Sequence, residues 1–211
     1  MMTDRCQLCV FVLALLLLSV APQQAVGQGW LQTAQLEAEI AQSEGTGILL
    51  DSLTTVLSRR DTLTVVRKPD SSAERSFSNL RTRLIETSGI GFGSATHVRI
   101  DYRFEIHNRG YQESIEGIHF VYRPSDPEQE PIPLLYVNGQ QPWVRAVLKA
   151  RAIPTGGSCV PPRAIQTELT FARLQKDAKI IKITGHDVRH GFEEQKRALV
   201  EKILRLTYES M

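Results

Sequence analysis

The segment HDVRH at residues 186–190 has the spacing of a metal site. Two histidines four residues apart on a helix can share one metal ion, and an acidic residue beside the first can act as a general base. His186, Asp187 and His190 therefore support one hypothesis, that of a metal-dependent hydrolase. However, glycines bracket the segment and indicate a turn, and no third ligand is specified, so we expect no cofactor. If the segment is a turn instead of a metal site, Asp187 is expected to cap the start of the following helix.

Cys159 lies in the loop PTGGSCVPPR at residues 154–163. A nucleophilic cysteine needs a base nearby or a helix N-terminus that lowers its pKa. The loop leads toward a predicted strand and specifies no base, so we interpret it as a stiff turn that glycines reverse and prolines rigidify. Two alternatives for this thiol stay open: a catalytic nucleophile, and a regulatory thiol or intermolecular disulfide that would link a homodimer.

A run of closely spaced glycines, GIGFGS at residues 89–94, is a third candidate for chemistry. Phosphate-binding loops run from a strand through glycines into a helix, whose N-terminus faces the anion. Here a predicted helix comes before the glycines and a predicted strand follows them. The order favours a glycine that ends the helix, and a bend into the sheet, over a phosphate site.

Charged and apolar residues alternate in THVRIDYRFEIH at residues 96–107, and IEGIHFVYR at 115–123 continues the pattern. A period of two predicts a sheet with one dry face and one charged face. We expect the charged face to be cationic and partly titratable, because it collects three arginines and three histidines: Arg99, Arg103, Arg123, His97, His107 and His119. Asp101 and Glu105 dilute that charge. The face is either an ordinary solvated sheet surface or a binding face for an acidic partner.

Two aromatic residues near the ends of this hairpin, Tyr111 and Trp143, are candidate anchors for a protein partner. Tyrosine and tryptophan dominate the energetics of many interfaces. The alternative is that both residues belong to the core or to a sheet edge. The loops at residues 108–114 and 124–131 complete the candidate binding surface.

An α+β fold would position these segments, with an antiparallel sheet, helices packed on one face and an amphipathic C-terminal helix. Beyond the hairpin, strands are predicted in IPLLYV (132–137) and KIIKI (179–183). Apolar residues at helical spacing predict helices in ILLDSLTTVLSRR (48–60), from Phe77 to Ile85, and from Phe192 to Tyr208.

Three further segments are assigned from their local composition. WLQTAQLEAEIAQSE (30–44) consists mostly of good helix formers and is expected to form a helix or a loosely attached arm. The dipeptide NG at 138–139 is a strong hairpin signal, so WVRAVLKA (143–150) would pair as a strand, although its apolar spacing also fits a helix. AIQTELTFARL (164–174) is expected to form a strand.

The first 27 residues are expected to be a signal peptide. The run VFVLALLLLSV at residues 10–20 is shorter than the about 20 residues that a membrane span needs, and small residues fit cleavage after Gly27. The mature protein would be periplasmic or secreted, with no transmembrane span after cleavage; the alternative is an uncleaved N-terminal anchor. Residues 28–47 would form the helix or arm, and residues 48–211 a single α+β domain.

The charge of the chain is nearly balanced, with 25 Lys and Arg against 23 Asp and Glu. This balance gives no reason to expect nucleic acid or an anionic membrane surface as a partner. Cys159 would be the one cysteine left after cleavage, so no internal disulfide could form. We therefore expect an exported binding or assembly domain rather than an enzyme, whose partner is a protein or an envelope component.

Overall fold

The computed structural model describes residues 31–71, 74–107, 110–126, 128–152, 163–184, 186–187 and 192–209. At residues 107, 152, 186 and 187 it describes the backbone alone. From Leu31 onward the described chain forms one compact unit. The predicted signal peptide, Cys159 and His190 lie outside the described residues.

A six-stranded antiparallel sheet lies at the centre of this unit, in the order β10-β9-β1-β4-β5-β6. Its strands in chain order are β1 (Leu31–Glu39), β4 (His97–His107), β5 (Gly110–Tyr122), β6 (Ile132–Asn138), β9 (Ala178–Ile183) and β10 (His186–Asp187). Two short ladders accompany it: β2 (Thr64–Val65) with β3 (Arg75–Ser76), and β7 (Arg151–Ala152) with β8 (Arg163–Ala164).

Six helices in the described part of the chain pack on one face of the sheet. They are α1 (Glu44–Arg59), α2 (Phe77–Ser88), α3 (Pro142–Lys149), α4 (Ile165–Glu168), α5 (Phe171–Leu174) and α6 (Glu193–Glu209). None of these six combines the length and the apolar character that crossing a bilayer requires. The predicted α+β class, with helices on one face and an amphipathic C-terminal helix, is confirmed.

Aromatic side chains join the apolar face of the sheet to the helices. The ring of Phe171 meets Tyr102 and Phe104 edge-on, with centroids 5.6 and 5.1 Å apart. The Tyr102 hydroxyl donates to the carbonyl of Leu169 at 2.6 Å. Burying one such side chain contributes about 1.5–3 kcal/mol. Since these contacts hold the helices on this side, the opposite face of the sheet is left to polar side chains.

The predicted hairpin is confirmed, because β4 pairs with β5 along its whole length. Its turn is shorter than the sequence predicts, since pairing already begins at Gly110. The helix-ending glycine is also confirmed. Gly89 adopts φ 66°, a left-handed conformation that favours glycine, and its N–H donates to the carbonyl of Ile85 at 2.9 Å.

The prediction of a helix or arm at residues 30–44 is wrong, because Leu31–Glu39 is strand β1 between β9 and β4. Helix propensity is a weak preference that tertiary pairing overrides. Ala34, Leu36 and Ala38 alternate onto the apolar face and are buried. The polar residues between them, Gln35 and Glu37, face the other side of the sheet. There they contact Asp101 and Arg99 of β4. An element assigned to the periphery is therefore central.

The predicted hairpin at Asn138–Gly139 is wrong, whereas the alternative helix is correct. A Cβ on Gly139 would lie 2.1 Å from the carbonyl oxygen of Ile115, so glycine is needed here for close passage along β5. Pro142 then occupies the first turn of α3, where proline is favoured.

The predicted strand at residues 164–174 is also wrong. The segment forms the two short helices α4 and α5, separated by Thr170 in an extended conformation. Ile165, Leu169 and Phe171 are buried, but Thr167, which the alternation places on the same side, is exposed. Phe171 packs against Tyr102 and Phe104 on the apolar face of the sheet. Apolar spacing over so short a run does not distinguish a strand from single helical turns.

Candidate binding site

Two of the predicted surface arginines share one buried carboxylate on the polar face of the sheet. Arg99 Nε lies 2.6 Å from Glu37 Oε2, and Arg123 Nη2 lies 2.5 Å from Glu37 Oε1. Glu37 is only 8% exposed. Burial alone would raise its pKa, but the bond from Arg99 and the charges of Arg99, Arg123 and His97 hold the pKa of Glu37 below its ordinary value. Glu37 is therefore ionised and fully paired.

A second polar cluster surrounds Asp101. Gln35 Nε2 donates to Asp101 Oδ1 at 2.5 Å, and His119 Nε2 lies 2.5 Å from Asp101 Oδ2. The ring of Tyr136 lies against His119, with centroids 4.7 Å apart. A Cβ on Gly117 would lie 2.6 Å from Asp101 Oδ2 and 2.9 Å from the Tyr136 ring. Glycine at this position therefore leaves the space in which the cluster assembles.

The pairing changes the expected character of this face. Arg103 also has a carboxylate partner, Glu105. The three arginines that the sequence identifies as candidate binding residues thus all contact a carboxylate, although two of them share Glu37. These ion pairs reduce the positive charge that the three arginines present to an acidic partner. The side chain of His107 is not among those described.

The two predicted aromatic anchors lie in different surroundings. Tyr111 stacks on Phe104 with ring centroids 6.5 Å apart, and its hydroxyl donates to Glu113 Oε2 at 3.2 Å. Burial, and then the charge of Glu113, raise the pKa of Tyr111. Glu113 Oε1 also accepts from the backbone N–H of Phe171 at 2.8 Å. Glu113 therefore connects Tyr111 and β5 to helix α5, while Trp143 is half-buried on α3.

The helical arrangement that the metal hypothesis requires is absent at its first two residues. His186 and Asp187 form strand β10, which pairs with Lys182 and Ile183 of β9. Among the described residues, no group of three or more histidines, cysteines and acids converges to hold a metal ion. The metal hypothesis rests on the i, i+4 spacing of the two histidines, which brings them together only on a helix, and the backbone at His186 and Asp187 is not helical.

A groove that the sequence did not indicate lies beside α2. It has a volume of about 300 Å3, and we call it the arginine groove. Seven residues line it: Arg67, Ser71, Arg75, Leu80, Arg83, Leu84 and Thr87. They come from three elements that are distant from the predicted binding residues in sequence: the chain after β2, strand β3 and helix α2.

Local structure positions each arginine of the groove. Arg67 follows Val66, whose carbonyl accepts from the N–H of Tyr136 at 2.8 Å, and Arg67 Nε donates to the carbonyl of Pro133 at 2.7 Å. Arg75 pairs with Val65 in the β2–β3 ladder. Arg83 lies on α2, which begins at Phe77 after the Ser76 cap. The groove is thus anchored to the edge strand β6 on one side and to a helix on the other.

The arginine groove has no carboxylate to balance its cations. Its seven lining residues include no acid, and within the described part of the chain Arg67, Arg75 and Arg83 form no ion pair. The nearby Glu74 accepts instead from the Thr64 hydroxyl at 3.0 Å. Because guanidinium groups recognise carboxylates and phosphates, three arginines that line one concave space make it a candidate site for an anion. The signal in the sequence that could have indicated this groove is the concentration of arginine at residues 67–83.

The sequence matches none of the known protein-family models, and no curated protein is similar to it. The arginine groove and the polar face therefore have to be interpreted from their own chemistry.

Proposed function

We propose that this protein is an exported binding domain that recognises an anionic group in the arginine groove. The observation that carries the proposal is the convergence of Arg67, Arg75 and Arg83 on one concave space without a carboxylate. The N-terminal sequence pattern, a short apolar run followed by small residues, supports the exported location. The nearly balanced charge and the single compact unit favour a binding domain as the class of function.

Guanidinium groups suit this role for a geometric reason. Each presents five N–H donors in a planar fork that matches the oxygens of a carboxylate or phosphate. A hydrogen bond to a charged group contributes about 1.5–3 kcal/mol, roughly twice that of a neutral pair. Arg67 is already oriented by its bond to Pro133. Less side-chain entropy is therefore lost when a ligand binds.

The proposal also explains a feature that stability does not. Three like charges in one groove repel one another, and no acid in the lining relieves that repulsion. An anion would remove it. On the polar face, carboxylates supply such partners to Arg99 and Arg123, and a bound anion would do the same for the arginines of the groove.

Calorimetric titration of the full chain with inorganic phosphate at low ionic strength tests the proposal. We expect saturable binding to the wild type, and about tenfold weaker binding to Arg83→Gln, because one charge-assisted contact is lost. Arg81→Gln is the matched control, since Arg81 lies on the same helix, is exposed and does not line the groove. Equal losses in both variants, or no saturable binding to the wild type, would contradict the proposal.

A further inference from the structure

The floor of the arginine groove is apolar. Leu80 and Leu84 are four residues apart on α2, so they lie on one face of the helix, and both line the groove. Arg83 and Thr87 flank them on the same face. Arginine side chains add long aliphatic stems to this surface. A ligand in the groove would therefore meet charge at the rim and hydrocarbon beneath it.

The size of the groove exceeds that of a single anionic group. A water molecule in the liquid occupies about 30 Å3, whereas the groove has a volume of about 300 Å3. Ligand pockets for small organic molecules begin at about this size. A bare phosphate or carboxylate would leave most of the space, and all of the leucine floor, without a contact.

The charge of the groove favours an anion with more than one negative charge. A monoanion would leave two of the three guanidinium groups uncompensated. A phosphate monoester carries about −1.5 to −2 charges at neutral pH and offers three acceptor oxygens. A phosphate monoester therefore matches the three arginines, which come from three different elements, better than a single carboxylate does.

We propose that the ligand of the arginine groove is a phosphate monoester whose apolar substituent lies along Leu80 and Leu84. This inference rests on the proposed function and names the ligand class for the same site. The same chemistry occurs in a lipid headgroup and in a soluble aryl or alkyl phosphate. Both would place the phosphate among Arg67, Arg75 and Arg83.

A ligand series tests the inference without altering the buried leucines. The full chain is titrated with inorganic phosphate, methyl phosphate, phenyl phosphate and benzenesulfonate. We expect phenyl phosphate to bind about tenfold more tightly than methyl phosphate, because only its ring reaches the apolar floor. Benzenesulfonate, which has the same ring and one charge, is expected to bind about tenfold more weakly than phenyl phosphate.

Two variants connect this series to the groove. Arg83→Gln and Arg75→Gln are each expected to weaken phenyl phosphate binding about tenfold, whereas Arg81→Gln leaves it unchanged. Thermal unfolding of each variant verifies that it is folded. Using two arginines from different elements keeps the test decisive if one variant folds poorly.

The failures of the two proposals are distinguishable. Equal affinity for methyl and phenyl phosphate overturns the apolar part of the inference, and equal affinity for phenyl phosphate and benzenesulfonate overturns the monoester part. In both cases the proposed anion-binding function stands. If inorganic phosphate shows no saturable binding, or if Arg81→Gln weakens binding as much as Arg83→Gln, the proposed function itself is overturned.

A vesicle experiment separates the two sources of the ester. Vesicles of phosphatidylcholine with phosphatidic acid are sedimented with the protein, beside vesicles of phosphatidylcholine alone. Retention by phosphatidic acid that phenyl phosphate displaces supports a lipid headgroup as the ligand. Phenyl phosphate binding without retention supports a soluble ester. Retention by both vesicle types counts against recognition of the phosphate.

Discussion

Arg99 and Arg123 on the polar face of the sheet share the carboxylate of Glu37, whereas Arg67, Arg75 and Arg83 line a groove without an acid. Arg99 lies on β4 directly opposite Glu37 of β1, and Arg123 directly follows the end of β5, so neighbouring strands bring opposite charges together. The second set comes from a loop, a short strand and a helix. The fold therefore uses arginine in two ways within one domain.

The difference separates charges that contribute to stability from charges available for binding. A buried carboxylate such as Glu37 would be destabilising if its arginines were absent, because the charge would be desolvated without compensation. An arginine in an open groove keeps its hydration, and it gains a partner only when a ligand arrives. We therefore expect variants on the polar face to change the stability of the fold, and variants in the arginine groove to change ligand binding.

The largest effect is expected for Glu37→Gln. The substitution removes the charge that both Arg99 and Arg123 contact, and we expect unfolding free energy to fall by about 1–3 kcal/mol. The two arginines are partly exposed, so solvent screening keeps the loss below the about 3–5 kcal/mol of a fully buried pair. Urea unfolding at neutral pH measures it, with Glu39→Gln on the same strand as the control. Equal stability of both variants would show that the Glu37 pairs contribute nothing.

The same variant defines a pH dependence. The pKa of Glu37 is lowered in the folded protein, so the folded state favours the ionised form more than the unfolded state does. Its contribution to stability is therefore present above the unfolded pKa of about 4.3 and is lost as the pH falls through the lowered folded value. The difference between wild type and Glu37→Gln should shrink below about pH 4. A difference that stays constant into this range would contradict the assignment.

An effect of similar size is expected for Gly117→Ala. Its Cβ would lie 2.6 Å from Asp101 Oδ2, and relieving that overlap must displace the bonds from Gln35 and His119. We expect a loss of about 1–3 kcal/mol, the range for overpacking. Gly93→Ala is the control, because a Cβ there meets nothing within 4 Å. Thermal unfolding of the two variants compares them, and an unchanged melting temperature in Gly117→Ala would argue against tight packing around Asp101.

The smallest effect on stability is expected for Arg83→Gln. Because Arg83 is exposed and forms no ion pair among the described residues, unfolding free energy should change by no more than about 0.5 kcal/mol. Urea unfolding without phosphate measures this change. A loss as large as that of Glu37→Gln would mean that the arginine groove stabilises the fold, and the contrast between the two regions would disappear.

Elements with a long, regular apolar period were predictable from the sequence, whereas short elements and the polar strand β1 were not. The alternation in β4 and the apolar spacing in α6 persist over many residues, so each period identifies its element. Strand β1 was missed because Gln35 and Glu37 give it a polar composition that only a partner on β4 explains. The helices α4 and α5 are four residues each, too short for a helical period to be distinguished from alternation.

For the candidate binding residues too, one property was predictable from the sequence and another was not. Arg99, Arg103, His119 and Arg123 were correctly assigned to one face, since alternation along a strand fixes the side on which a residue lies. Their pairing was not predictable, because Glu37 is 62 residues from Arg99 and 86 from Arg123 along the chain. Tertiary structure thus placed the arginines of the expected cationic face in ion pairs with Glu37 and Glu105.

By itself, the sequence determined the α+β class, the hairpin, the C-terminal helix and the polar character of one sheet face, because each follows from a period of two or of 3.6. Only the tertiary structure decided which charges meet. Ion pairs depend on distances between residues far apart in the chain, which no local period encodes. For that reason the arginines matched by Glu37 and the three left unpaired in the arginine groove looked alike in sequence, and differ only in the folded protein.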